Sequence, residues 1–188
     1  MKYERELVLK DGRRCLLRSA VAEDAEAYLD YFIRCHAETD WLTTYPDENT
    51  HTVEEERSFL DRQYGSPNDV EIVAVVDGKI AGSAGAHGIA NREKLRHRAD
   101  FGISVLKEYW RLGIGRALTE ACIECAKEMG YVQLELEAVA ENQPAVRLYE
   151  SVGFKEYGRN PKGFRSRYAG WQELVLMRLE LSGEKEAT

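Results

Sequence analysis

Gly113 and Gly115, set between Tyr109-Trp110-Arg111-Leu112 and Arg116-Ala117-Leu118, are the residues whose type and spacing most directly imply chemistry. Glycine leaves no Cβ between a ligand and the backbone, so neighbouring N–H groups can converge on one anion. The apolar run Ile103-Ser104-Val105 enters this loop as a strand, and an amphipathic helix leaves it at Ile114. First-turn donors of a helix have no internal partner, and the helix dipole adds partial positive charge there. With Arg111 and Arg116 flanking it, the turn reads as a pyrophosphate cradle. Two common phosphate motifs do not fit. Leu118 stands where a dinucleotide fingerprint needs a third small residue, and no Gly-Lys-Ser/Thr run exists for a P-loop. A strand-to-helix turn punctuated by glycine, with no ligand at all, stays open on this segment alone.

The segment Asn142-Gln143-Pro144-Ala145-Val146-Arg147-Leu148-Tyr149-Glu150-Ser151-Val152-Gly153-Phe154 reads as a short capped helix. Asn142 suits the N-cap, Pro144 the first turn, and Gly153 the stop before a new strand. Ala145, Leu148, Tyr149 and Val152 share one face. Tyr149 is then either a core aromatic or a phenol placed for chemistry, and in both cases its hydroxyl needs a partner.

Together the two segments resemble the GNAT superfamily of acyl-CoA N-acyltransferases. The first is similar to that family's Gln/Arg-x-x-Gly-x-Gly/Ala loop, with Trp110 at the Gln/Arg position and Arg111 one step later. The second is similar to its Asn-x-x-Ala-x-x-Leu-Tyr-x-x-x-Gly-Phe helix. The resemblance covers residues 70–181 and extends back to residue 14. It implies an α/β fold with a mixed sheet of six to seven strands, about four helices, and two parallel strands splayed at the cofactor. It also implies acetyl-CoA as cosubstrate, held by Arg111, Leu112, Gly113, Ile114, Gly115 and Arg116 at the pyrophosphate. Ile103 and Val105 would meet the acyl-pantetheine arm, with a backbone N–H near Val105 facing the oxyanion, and Asn142 and Tyr149 would lie beside the arm.

Acyl transfer from a thioester to an amine needs a neutral amine, a donor for the oxyanion, and a proton for the departing thiolate. By the resemblance Tyr149 supplies that proton; a phenol near pKa 10 can protonate a thiolate whose acid lies at about 8.5. Glu137, at the end of the strand after the glycine-loop helix, is the first candidate base. Asp100, His87 and a water chain remain alternatives, and Glu38 and Asp40 are candidates for attracting a cationic amine. The expected function is an N-acetyltransferase acting on a primary amine of a small molecule or peptide by direct attack. A catalytically silent acyl-CoA-binding sensor is the alternative, and Tyr149 favours the enzyme because a sensor needs no thiolate acid. No feature names the acceptor.

A chain of 188 residues with 44% hydrophobic and 31% charged residues has ordinary soluble composition. One N-acetyltransferase domain over 1–182, with a flexible polar tail at 183–188, is expected. No apolar run approaches the ~20 residues of a membrane helix. Acidic residues occupy the start where a signal peptide would be apolar, so a cytoplasmic location is expected. A formal net charge of −7 argues against nucleic-acid binding and favours cationic partners. The basic clusters Arg92–Arg98 and Arg159–Arg167 read as solvated loops. Cys122 and Cys125, mid-helix and without a second ligand pair, read as buried thiols, and no metal is expected.

Hydrophobic patterning supplies the elements that carry these residues. Arg14–Arg18 reads as the first strand, Glu23–Glu38 as a helix, and Thr52–Tyr64 as a helix with a Thr52/Glu55 capping box. Residues 39–51, with Trp41 and Tyr45, read as a loop that either lines a cleft or lies on the surface. Val70–Val76 and Lys79–Ala86 form a hairpin across Asp77-Gly78. Arg98–Val105 is a strand, Gly113–Gly130 a helix, and Val132–Ala138 a strand parallel to Arg98–Val105, since a helix joins the two. Strands near Phe154–Arg159 and at Trp171–Leu181 complete the set, the latter a long terminal strand offering an edge for a homodimer.

Overall fold

A computed structural model describes residues 2–181. The expected tail at 183–188 lies outside the described residues. Eight strands and four α-helices are present among those described: β1 (Glu4–Val8), β2 (Arg14–Ser19), α1 (Ala25–Glu38), α2 (Val53–Gly65), β3 (Asp69–Val76), β4 (Lys79–Gly88), β5 (Arg98–Val105), α3 (Ile114–Glu128), β6 (Gln133–Val139), α4 (Gln143–Ser151), β7 (Lys155–Ser166) and β8 (Gly170–Glu180). They form one sheet in the order β1-β2-β3-β4-β5-β6-β8-β7. Every neighbouring pair is antiparallel except β5 and β6, which are parallel because α3 carries the chain back to the same end.

Alternation along β4 and β5 puts helices on both faces. Ser83 and Ser104 meet the hydroxyls of Tyr28 and Tyr31 of α1. A Cβ placed on the adjacent Gly82 would instead touch Leu118 of α3. Successive strand residues point to opposite faces, so α1 and α3 cover opposite sides of the sheet. The α3 stripe Ile114, Leu118, Ala121, Cys122 and Cys125 is buried, and its small members let the helix lie close to the strands. Thr52 Oγ1 accepts from the Glu55 N–H while Glu55 accepts from the Thr52 N–H, so the expected capping box starts α2. All four cysteines are buried and free.

Three expectations are corrected. The sheet has eight strands rather than six to seven. The missed one is β1, whose Glu-Arg-Glu-Leu-Val lacks apolar alternation because it is an edge strand with only one side seated on the molecule. The basic segment Arg159–Arg167 is not a loop: through Ser166 it belongs to the second edge strand, β7. Its cations are matched locally, Arg159 to Glu156 and Glu173, and Arg165 over the Trp171 ring. Finally, the long terminal strand β8 lies between β6 and β7, so its edges are already paired. A dimer through a sheet edge would have to use β1 or β7.

Candidate active site

The parallel pair β5–β6 holds together at only three positions, Arg98–Gln133, Ala99–Leu134 and Asp100–Glu135, and then opens. Beyond the fork each strand stays paired to its outer neighbour, β5 to β4 as far as Val105 and β6 to β8 as far as Val139. Ladder parity decides which peptide groups face the opening. Leu106 N–H donates to Ala81 O and Ile89 N–H donates to Arg98 O. Ala99, Phe101, Ile103 and Val105 are therefore the non-hydrogen-bonded positions against β4, and their N–H and C=O groups point toward β6. Ala140 N–H to Glu173 O and Leu181 N–H to Val132 O likewise turn the peptide groups of Glu137 and Val139 toward β5. The peptide groups of Ile103 and Val105 thus line the fork, where no strand partners them.

At the mouth of the fork the chain makes a 3-10 turn at Lys107–Tyr109 and enters α3 through Arg111 at φ 63° and Gly113 at φ 105°. Gly113 needs its glycine for that left-handed conformation. The first backbone bond of α3 is Ala117 N–H to Gly113 O. Among the described residues, the N–H groups of Arg111, Leu112, Gly113, Ile114, Gly115 and Arg116 donate to no protein acceptor. Six consecutive free donors at a helix N-terminus fit an anion that accepts several hydrogen bonds. Arg116 is shared between Glu120 at 3.3 Å and Ser151 Oγ at 2.7 Å, tying the first turn of α3 to the end of α4.

The Trp110 side chain turns away from this cradle. Its indole N–H donates to Val105 O at 2.6 Å, and its ring stacks on Trp41 at 5.9 Å. The one carbonyl at the tip of β5 is thereby satisfied, leaving the Val105 N–H to face the fork.

Helix α4 packs across the start of α3, with Leu148 3.4 Å from the Cβ position of Gly115. Asn142 caps α4, its Oδ1 accepting from the Ala145 N–H at 3.4 Å. Tyr149 is buried with its ring edge-on to Phe101 at 6.2 Å and tilted against Phe154 at 6.0 Å. Its hydroxyl has no hydrogen-bond partner among the described residues. Burial alone pushes its pKa well above the usual phenol value, so it stays protonated.

On the α1/α2 face the fork carries acids. Glu137 is exposed at the end of β6. Burial raises Asp100; His87 opposes that shift, while Glu137 and Glu135 add to it. Burial would lower His87, but Glu71, Asp69 and Asp100 together hold it above the ordinary imidazole value. Glu38 and Asp40, expected to attract an amine, are engaged elsewhere. Glu38 accepts from the Lys107 N–H at 2.7 Å, and Asp40 accepts from Ser166 Oγ and Tyr45 OH. The 39–51 segment is pinned over this side of the sheet: the Arg167 N–H donates to Tyr45 OH, and the Arg167 guanidinium pairs with Asp47. Sequence spacing carries no signal for contacts between residues more than a hundred positions apart, so it does not foresee this arch. The indole–Val105 bond spans only five positions, but residue type alone does not fix which way the Trp110 side chain turns.

Among the described residues no group of three or more His, Cys, Asp or Glu could hold a metal ion, and no helix is long and apolar enough to cross a membrane. The chain is 36% identical over 113 residues to an N-alpha-acetyltransferase of Sulfurisphaera tokodaii, matching 56% of this chain and 65% of that protein. The match therefore spans less than two thirds of that relative's own length. The fold superposes on an acetyltransferase of the GNAT family from Streptococcus pneumoniae with TM-score 0.85 and 32% identity, covering 88% of this chain and 99% of the other. It also shares the fold of the protein yncA from Salmonella typhimurium, solved with its cofactor acetyl-CoA, at TM-score 0.79 and 19% identity over 91% and 96% of the two chains. The model of the acetyltransferase (GNAT) family matches residues 27–154, and the chain belongs to that family.

Proposed function

We propose that this protein is an acetyl-CoA-dependent N-acetyltransferase acting on a primary amine. The observation that carries the reading is the run of six unpartnered N–H groups, 111–116, beside a fork whose inner edges are unpaired. The donor set suits a pyrophosphate followed by an amide-containing arm. Arg111, Leu112, Gly113, Ile114, Gly115 and Arg116 would bind the pyrophosphate, mainly through the main chain. Val105, nearer the mouth, would bond the arm, Asn142 would hold it from α4, and the neighbouring Ile103, deeper in the fork, would turn its N–H to the acyl oxygen.

Acetyl-CoA supplies an activated thioester; the protein supplies position and protons. Tyr149, buried and protonated, offers its hydroxyl to the leaving sulfur. Burial that raises a phenol raises a thiolate beside it as well, so the difference between the two, not the absolute value, decides the transfer. Glu137 faces the acceptor side from β6, as proton acceptor or counter-charge for the amine. No step needs a metal. A silent sensor is the weaker reading, because it gives the unpartnered Tyr149 hydroxyl nothing to do.

Calorimetry with acetyl-CoA, paired with free-thiol release over an amine panel, tests the function. Saturable binding and amine-dependent thiol release are expected. Binding without release from any amine favours the sensor, and absence of binding rejects both. A cationic small-molecule or peptide acceptor, a cytoplasmic setting and a homodimer remain part of this proposal; neither a membrane nor a nucleic acid has a role in it.

A further inference from the structure

Two glycines face each other across β4 and β5 on the acceptor side: Gly85 pairs with Gly102. Two residues along the strands on one side His87 pairs with Asp100, and two residues along on the other Ser83 pairs with Ser104. Ser83 and Ser104 are bonded to α1, so Gly85, Gly102, His87 and Asp100 share that face of the sheet. The two glycines have opposite surroundings. A Cβ on Gly85 would fall inside van der Waals contact of His87 Nε2 and Glu71 Oε2, so the imidazole and a carboxylate lie folded over that residue. A Cβ on Gly102 would meet nothing within 4 Å. The open position is thus one residue before Ile103, at the fork, with the His87 ring folded over its cross-strand partner Gly85.

His87 is held without being fixed. Its Nε2 stands 3.5 Å from Glu71 Oε2 and its Nδ1 3.7 Å from Asp69 Oδ1, with the side chain about one third exposed. Both are loose ion-pair distances, longer than a well-formed hydrogen bond. Glu71 is itself buried and anchored, accepting from Tyr28 OH at 2.8 Å. Behind it lies Glu56, buried, with Oε2 3.3 Å from His51 Nδ1 and Oε1 without any partner. This much carboxylate around one histidine favours a cation in its neighbourhood.

We propose that the acceptor amine sits over Gly102 and gives its proton to His87. This rests on the acetyltransferase reading above and divides the work at the site: His87 takes the proton, and Glu137 provides counter-charge across the fork. The amine arrives as an ammonium. One N–H bond breaks, its electron pair stays on nitrogen and forms the bond to the thioester carbon, and the proton binds Nε2 of the neutral imidazole. As the C–S bond breaks, the sulfur takes the Tyr149 proton, and the second proton shed by the attacking nitrogen restores the phenol. The resulting imidazolium is steadied by Glu71 and Asp69 and discharges to water along the exposed edge of the ring. Glycine at 102 leaves room for the amine, and glycine at 85 leaves room for the ring.

The groups facing His87 are Glu71 and Asp69 from β3 and Asp100 from β5, with Glu56 of α2 behind Glu71 and Glu137 of β6 beside Asp100. These carboxylates keep the imidazole protonated above its usual range, so kcat/KM should rise with pH through a step lying above 6.5. The probe is the most reactive of 1,4-diaminobutane, L-arginine amide and an alanyl dipeptide. His87→Gln should lower kcat about 10²-fold or more and abolish that step, with acetyl-CoA affinity by calorimetry unchanged. Gly102→Val, which leaves His87 untouched and suits a strand, should raise the acceptor KM at least tenfold at unchanged acetyl-CoA affinity. Without turnover, the His87 ring titration followed by NMR should move on adding the amine to wild type and stay put in Gly102→Val. Turnover within about threefold of wild type in His87→Gln, with the pH step intact, overturns the role. An unchanged acceptor KM in Gly102→Val overturns the pocket. Loss of acetyl-CoA binding by the wild-type protein would instead be a failure of the acetyltransferase reading itself.

Discussion

The Tyr149 hydroxyl ends in a packed triangle with Phe101 and Phe154 and donates to nothing in the protein. Removing it therefore costs the fold no hydrogen bond, and Tyr149→Phe keeps the ring that fills the space. If the hydroxyl protonates the departing thiolate, kcat should fall by roughly 10²–10⁴ while the melting temperature barely moves. Turnover within about threefold of wild type would make Tyr149 a packing residue only. Trp110 sits at the family's Gln/Arg position yet spends its indole N–H on Val105 O and its face on Trp41. Trp110→Ala should thus lower stability, the lost hydrogen bond alone contributing about 1 kcal/mol. Its effect on acetyl-CoA affinity should be smaller than that of the glycine-loop variants. A melt and a calorimetric titration of the same sample decide; an affinity loss matching Gly113→Val with an unchanged melt would put the indole in the cradle.

At the scale of elements the cradle depends on how the turn enters α3. Gly113 has open space where a Cβ would go, so its requirement is conformational: at φ 105° a branched residue is strained wherever its side chain points. Gly113→Val should re-aim the N–H groups of 112–115 and weaken acetyl-CoA binding more than tenfold by calorimetry. Unchanged affinity would mean that the side chains of Arg111 and Arg116, not the main chain, hold the anion. This turn was legible in the sequence because its determinants are local: a glycine at fixed spacing, a strand before it, an apolar stripe after it. The Asn142 cap of α4 and the Asp77-Gly78 hairpin were legible for the same reason; both residues of the hairpin turn have positive φ. Elements held by pairing alone were harder to read. Strand β7 runs through Lys-Gly-Phe-Arg-Ser because backbone ladders to β8 are indifferent to the charges outside them. The arch over the acceptor side was invisible, since Asp40 meets Ser166 across the whole β-core, and so was the face shared by His87, Gly85 and Gly102, which appears only once register is known.

For the whole molecule, charge is the property that reaches the acceptor before contact does. The chain carries a formal net charge of −7, and Asp69, Glu71, Asp100 and Glu137 concentrate part of it around one side of the fork. Glu71 is buried and Asp69 half-buried, where water screens them less than at the surface. A cationic amine should therefore be drawn in by long-range attraction, and an amine carrying a carboxylate should be held back. The cradle side has the opposite sign: on the proposed function its free N–H groups, the helix N-terminus, Arg111 and Arg116 would receive a polyanion. Salt should thus act on both substrates through different groups. Raising ionic strength from about 0.05 to about 0.5 M shortens the Debye length to a few ångströms, less than the span of the acidic cluster. For a dicationic diamine KM should rise several-fold over that range, whereas a neutral-bodied monoamine should change less and an anionic amino acid should improve. Because the attraction acts before chemistry, kcat at saturation should stay nearly constant for all three. A salt-independent KM for the diamine, or a preference for the anionic acceptor at low salt, would show that the acids serve the fold and not the substrate.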